Sequence, residues 1–308
     1  MPEAVQLYYW RGEARNFGDE LNVLLWPRLL PDFFDENPAE LFLGIGSVLD
    51  ARHAPDAVKL VAGAGYGGYE RAPTLDATWV VHWVRGPDTA RLLGLPEECG
   101  LGDPAMLIDA PASRSTRAVG FMPHFESMAR GSWAEAAHAA GVSLIDPRGD
   151  PATILAAIGN CRLLLGEAMH GVIVADAMRV PWVALRPLVA AHRAKWHDWA
   201  GAMGLAVRFH SHHASSLCER LHASMLATSR PARHLLDQTG PLLTAARQNF
   251  IGRAAESLSV AAAAAPQLSS DTALDRSRTK MLERLEALRR CPWRPTALHS
   301  RGTSAYQH

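Results

Sequence analysis

The sequence predicts an α/β protein of two halves, each a parallel sheet covered by helices, with a helical stretch after them. Three observations carry this. Short apolar runs that end in small residues alternate with helical segments, the rhythm of parallel strands and their crossovers. The rhythm halts at the polar stretch Ala112-Ser-Arg-Ser-Thr-Arg117 and then restarts. A chain of 308 residues corresponds to about two domains.

In the first half, Val5-Gln-Leu-Tyr-Tyr-Trp10 opens the chain as a strand. Leu41-Phe-Leu-Gly-Ile45, Lys59-Leu-Val-Ala-Gly63 and Trp79-Val-Val-His-Trp-Val84 read as buried strands. Helices are expected from Glu20 to Leu30 and from Pro87 to Leu95, the second with proline in its first turn. In the second half, strands are expected at Ala118–Met122, Val142–Ile145, Arg162–Leu165 and Pro181–Leu185. Helices are expected at Ser132–Ala140, Pro151–Ile158 and His170–Met178. The active cleft should lie between the halves. The units are 1–112, 117–205, a helical extension at 206–262 and a basic helix with a disordered tail at 271–308. Ala261–Asp271 reads as a linker, because Pro266 ends one helix and Ser269-Ser270-Asp271 can cap the next.

Composition narrows the function. The chain has 31 basic and 31 acidic side chains, so it has no net attraction for nucleic acid or an anionic bilayer. Neutrality is a sum of unlike parts: residues 271–308 contain eight Arg or Lys against four Asp or Glu. The four cysteines are scattered without a CxxC pair, as in a reduced, cytoplasmic chain. No secretory leader or run long enough to span a bilayer is evident, which leaves open peripheral association with a membrane assembly.

Several constellations can carry chemistry. Asn16-Phe-Gly-Asp-Glu-Leu-Asn22 follows a strand and opens a helix; its polar residues suit either a helix cap or a ligand met at Gly18. Gly46 and Gly65 stand at strand ends where backbone amides can approach an anion, although neither belongs to a GxGxxG fingerprint. Arg85, at a strand end, can clamp a carboxylate or phosphate, or pair locally with Asp88. Asp103 precedes proline and reads as a turn former. His124 and His170 end two strands of one sheet and should share an edge, His170 at a helix N-terminus that favours a bound anion. His210-Ser-His212-His213 reads as an exposed loop without other ligands at metal spacing, so no metal is assigned. Trp196 and Trp199 read as core or as a platform for sugar rings, with core the default.

Taken in order, NFGDELN, LGIGS, VAGAG, VRGPDTARLLGL, GDPAMLI, EAMHGVIVADAMRVPWVAL and KWHDWAGAMGL resemble the polysaccharide pyruvyl transferase family, in particular its succinoglycan-type exopolysaccharide ketal-pyruvate transferases. The resemblance covers about residues 5–205. It implies two Rossmann-like halves in a GT-B-like arrangement. It also implies transfer of the pyruvyl group of phosphoenolpyruvate onto two hydroxyls of a sugar, as a cyclic ketal, with no further cofactor. By position, Arg85 matches the family arginine that holds the donor and His170 the family histidine. Many members have an arginine two positions before that histidine; here the residue is Ala168, so the donor's phosphate needs another partner, Arg186 or the helix N-terminus. The expected catalytic set is His170 as acid or phosphate contact, Arg85 as clamp, and Asp19 or Glu167 as base. Asn16, Gly18, Gly46, Ser47, Gly65, His124, Met169, Arg186 and Lys195 are expected on the substrate side. The expected partners are phosphoenolpyruvate and a lipid-linked oligosaccharide or sugar acceptor. Competing readings are a nucleotide-sugar glycosyltransferase of similar architecture and a non-catalytic subunit of a polysaccharide assembly complex.

Overall fold

The computed structural model describes residues 5–36, 38–109, 118–224 and 241–290. The first half holds strands β1 (Val5–Tyr8), β2 (Phe34–Asp35), β3 (Glu40–Leu43), β4 (Val58–Ala62) and β5 (Trp79–Trp83), in the order β2-β1-β3-β4-β5. The second holds β6 (Val119–Met122), β7 (Ser143–Leu144), β8 (Leu163–Gly166), β9 (Trp182–Leu185) and β10 (Phe209–His210), in the order β10-β9-β8-β6-β7. All these pairings are parallel, with registers such as Leu7 opposite Phe42 and Phe121 opposite Leu165. Counted from its own first strand, each sheet has the order 2-1-3-4-5. Strands β6, β8 and β9 are buried along their whole length, which is why they read as unbroken apolar runs rather than alternating ones.

The helices are α1 (Phe17–Leu29), α2 (Pro87–Leu92), α3 (Phe125–Arg130), α4 (Trp133–Ala139), α5 (Pro151–Asn160), α6 (Met169–Ala177), α7 (Ala194–Ala202), α8 (Leu217–Ala223), α9 (Pro241–Ala262) and α10 (Asp271–Arg290). Helix α6 is buried on nearly every face because it packs against α1 of the other half as well as α5 and β8. One hydrophobic cluster therefore runs through both halves, from Val5, Phe17 and Trp83 to Trp182, Trp196 and Trp199.

Two expectations change. The stretch after residue 206 is not purely helical, since Phe209–His210 form β10 beside Ala184 and Leu185; a two-residue strand has no period to read. The segment 261–271 is held rather than loose. Gln267 exchanges backbone hydrogen bonds with Trp182, its side chain bonds both the amide and the carbonyl of Arg208, and Ser269 bonds Asp176. Ser270 does cap α10, accepting from Ala273 N–H. The basic helix α10 is amphipathic: it buries Leu274, Met281, Leu285 and Leu288, and Arg278 bonds the carbonyls of Met106 in the first half and Ala177 in the second. The expected boundary at 111–117 and the tail past Pro292 lie outside the described residues.

Candidate functional site

The shared strand order decides where a ligand can sit. In an order 2-1-3-4-5 the connections leave the first and third strands in opposite directions, opening a crevice at their carboxyl ends. The two crevices face each other across a cavity of about 230 Å³. Its lining follows the four strand ends: Tyr8 and Trp10 past β1, Gly46 and Ser47 past β3, Met122 and His124 past β6, Met169 and His170 past β8.

The first wall is built by the NFGDELN segment. Asn16 does not cap α1 through its side chain; its Nδ2 donates to Asp19 Oδ2 at 2.6 Å. Asn22, fully buried, ties α1 to the end of β3. Its amide donates to the carbonyls of Asp19 and Ile45 and accepts from the Ile45 amide and the Trp26 indole, all at 2.9–3.0 Å. Every polar atom of the buried amide is thus used, and Asp19 is pinned beside Gly46. Burial raises the pKa of the Asp19 carboxyl, against the opposing pull of His170, Asn16 and Lys195.

The second wall is the start of α6. His170 Nε2 lies 3.3 Å from Oδ2 of the fully buried Asp103, whose other oxygen accepts from the Ala105 amide at 2.9 Å. The imidazole rests on Gly18: a Cβ there would come 1.9 Å from Nδ1, so only glycine leaves room for the ring. Lys195, at the start of α7, lines the same cavity. Desolvation, reinforced by the nearby Arg85 charge, brings its ammonium down to about 8.

Among the residues expected at the site, the cavity brings together Asn16, Gly18, Asp19, Gly46, Ser47, His124, Met169, His170 and Lys195. Arg85, Gly65, Glu167 and Arg186 are not among its lining. Arg85 is fully buried, donating from Nε to Asp198 at 3.0 Å, from Nη1 to Ser47 Oγ at 2.9 Å and from Nη2 to the Tyr66 carbonyl at 2.8 Å. The alternative pairing with Asp88 does not occur; Asp88 pairs with Arg91. Gly65 lets that guanidinium approach, a Cβ there falling 2.3 Å from Arg85 Cζ. Glu167 is equally enclosed, accepting from the amides of His124 at 2.9 Å and Leu188 at 3.1 Å and from Ser127 Oγ at 3.0 Å. In this arrangement Arg85 and Glu167 touch the site through Ser47 and His124. Arg186 is exposed past the end of β9.

Sequence reasoning missed other lining residues. Asp103 is the turn former it was read to be, but its free oxygen also meets His170, a partner 67 residues away. His192 and Glu126 carried no signal; their side chains meet at 3.2 Å, and His192 Nδ1 lies 2.8 Å from Tyr69 Oη. The His124 and His192 rings stack with centroids 4.1 Å apart. Trp10 stands at the cavity with 39% of its surface exposed, its ring 5.7 Å from that of Phe125. The His212 side chain is not exposed: it is fully enclosed, neither ring nitrogen has a partner among the described residues, and Glu167 is 4.0 Å away. Trp196 and Trp199 are core, as expected.

Comparisons with known proteins identify the family. The profile of the polysaccharide pyruvyl transferase family matches residues 74–187, which span β5 to β9 and include His124, Glu167 and His170. The succinoglycan biosynthesis protein ExoV of Rhizobium meliloti (strain 1021) is 35% identical over 312 aligned residues, covering 92% of this chain and 98% of that protein. No solved structure matches. With two Rossmann-like halves around one cavity and a relative aligned over nearly its whole length, the chain belongs to the polysaccharide pyruvyl transferase family and is a transferase.

Proposed function

We propose that the protein transfers the pyruvyl group of phosphoenolpyruvate onto two hydroxyls of one sugar of an exopolysaccharide repeat unit, forming a cyclic ketal and releasing phosphate. The observation that carries this reading is the meeting, in one cavity between the halves, of the His170–Asp103 pair, the Asp19 carboxyl and the Lys195 ammonium. The donor needs all three kinds of group. Its phosphate and carboxylate need a cation, its methylene carbon needs a proton, and the attacking hydroxyl must lose one.

His170, with Asp103 behind it to stabilise the imidazolium, gives its proton to the methylene carbon, which becomes a methyl group. The adjacent carbon gains oxocarbenium character. A sugar hydroxyl adds there as Asp19 accepts its proton, the carbon–oxygen bond to phosphate breaks with that proton passing to the departing phosphate, and the second hydroxyl closes the ring as its proton returns to the imidazole of His170. Lys195 holds the donor's anionic end where the family arginine is replaced by Ala168. Arg85 acts on the donor through Ser47, the hydroxyl it orients at 2.9 Å. Exposed Trp10 offers the acceptor sugar an aromatic face. No described helix is long and apolar enough to cross a membrane. A lipid-linked acceptor would be met at the membrane's inner face.

Incubation of the purified protein with phosphoenolpyruvate and a panel of lipid-linked oligosaccharides tests this, with phosphate release and a new ketal methyl signal in the NMR spectrum as readouts. Sugar transfer from a nucleotide donor without ketal formation would overturn it. Wild-type turnover in His170→Ala would overturn the assignment of the acid.

A further inference from the structure

We propose that His124, Glu126 and His192 form a binding site for one divalent transition-metal ion of zinc's chemical class, on the second half's side of the cavity. The three side chains each offer one ligand atom, and these atoms lie within 4.8 Å of one another. Two imidazoles and a carboxylate are the donor set of open, three-ligand zinc sites, in which the fourth position is left to water or substrate. Metal–ligand bonds of about 2.0–2.2 Å in a tetrahedron set the ligand atoms about 3.3–3.5 Å apart. Glu126 Oε2 and His192 Nε2 stand 3.2 Å apart, so this edge of the site is already closed. Among the described residues the His124 ring, stacked on His192, has as its hydrogen-bond contact a long 3.4 Å approach from the Glu126 amide to Nδ1. A small rotation brings it to the ion.

The surroundings supply the outer hydrogen bonds that hold ligands in place. Tyr69 Oη lies 2.8 Å from Nδ1 of His192, leaving Nε2 for the ion. The His124 backbone amide is held by Glu167 at 2.9 Å, which gives that buried carboxylate a positioning role. Arg130 donates to Glu126 Oε2 at 3.2 Å and is the cation that an ion would displace or share. All three proposed ligands line the cavity, so the open position faces it. That the ion takes an oxygen of the donor's phosphate or carboxylate rests on the pyruvyl-transfer reading; the binding itself does not.

The full chain, stripped with a chelator, is titrated with Zn²⁺ by calorimetry, and its metal content is measured after gel filtration. One ion per chain is expected. Affinity should fall at least 100-fold in His192→Ala and in Glu126→Gln, which keeps the side-chain shape, and about 10-fold in Tyr69→Phe. Absence of stoichiometric binding overturns the proposal. So does binding undiminished in both ligand variants, which would place the ion elsewhere, for example at His210–His213. Phosphate release, assayed separately, decides the pyruvyl reading and leaves the binding result untouched.

Discussion

Replacing Gly18 with alanine separates the chemistry of the site from the stability of the fold. The new methyl carbon would lie 1.9 Å from His170 Nδ1, 2.6 Å from Cγ and 2.7 Å from Cε1. Carbon contacts settle at about 3.5–4.0 Å, so the ring must retreat by about 1.5–2 Å. That breaks its 3.3 Å approach to Asp103 and turns the imidazole away from the cavity. A misplacement of about 1 Å in a reacting group costs about 100-fold in rate, equivalent to about 2.7 kcal/mol of barrier. The fold is hurt less. Gly18 is in the first turn of α1 with ordinary helical backbone, where alanine gains up to about 1 kcal/mol, against about 1–3 kcal/mol for overpacking. The net loss of stability is therefore between about zero and 3 kcal/mol, from the difference of those terms. Phosphate release at saturating donor, together with a thermal melt of the same sample, should show a turnover loss of about 100-fold beside a drop of a few degrees. Wild-type turnover in the folded variant would refute the placement of His170 at the reacting centre.

Further outcomes are expected at three residues. Asp198→Ala leaves the buried Arg85 guanidinium without its carboxylate and should cost about 3–5 kcal/mol in a denaturant melt; an unchanged midpoint would show that the pair does not brace the site. Lys195 is protonated below about pH 8, so the donor KM should hold steady below that pH and climb above it, and Lys195→Met should show a high KM without the climb. Between about 8 and the ordinary 10.5 the unfolded chain binds the extra proton, so this residue's contribution to stability rises with pH, a slope the methionine variant should lack. Trp10→Ala should raise the acceptor KM about 5- to 10-fold and leave the donor KM alone. An equal change in both would place Trp10 in the fold and not in acceptor binding.

Local pattern was enough for most strands and helices. The unbroken apolar runs that became β6, β8 and β9 could be read because a strand covered on both faces needs no polar alternation. β2 and β10 escaped because two residues carry no periodicity. The NFGDELN segment was recognisable as a site element, but not the buried amide of Asn22 that fixes its geometry. Arg85 was expected as the donor clamp and Glu167 as a candidate base. Their partners were not legible: Arg85 meets Asp198 across 113 residues and Glu167 meets the His124 amide across 43. Without those partners, a charge that braces a wall reads the same as one that faces a substrate.

By itself, then, the amino-acid order determined the two parallel-sheet halves, their strand ends and the residues set at those ends, because these follow from hydrophobic runs, turn residues and helix caps within a few positions. Tertiary structure decided which of those ends meet. The repeated order 2-1-3-4-5 brings two crevices face to face, sets Asp103 against His170, gathers His124, Glu126 and His192 on one wall, and lays α10 across both halves. Such pairings join groups far apart in the chain and depend on the packing of one half against the other, which no local period records.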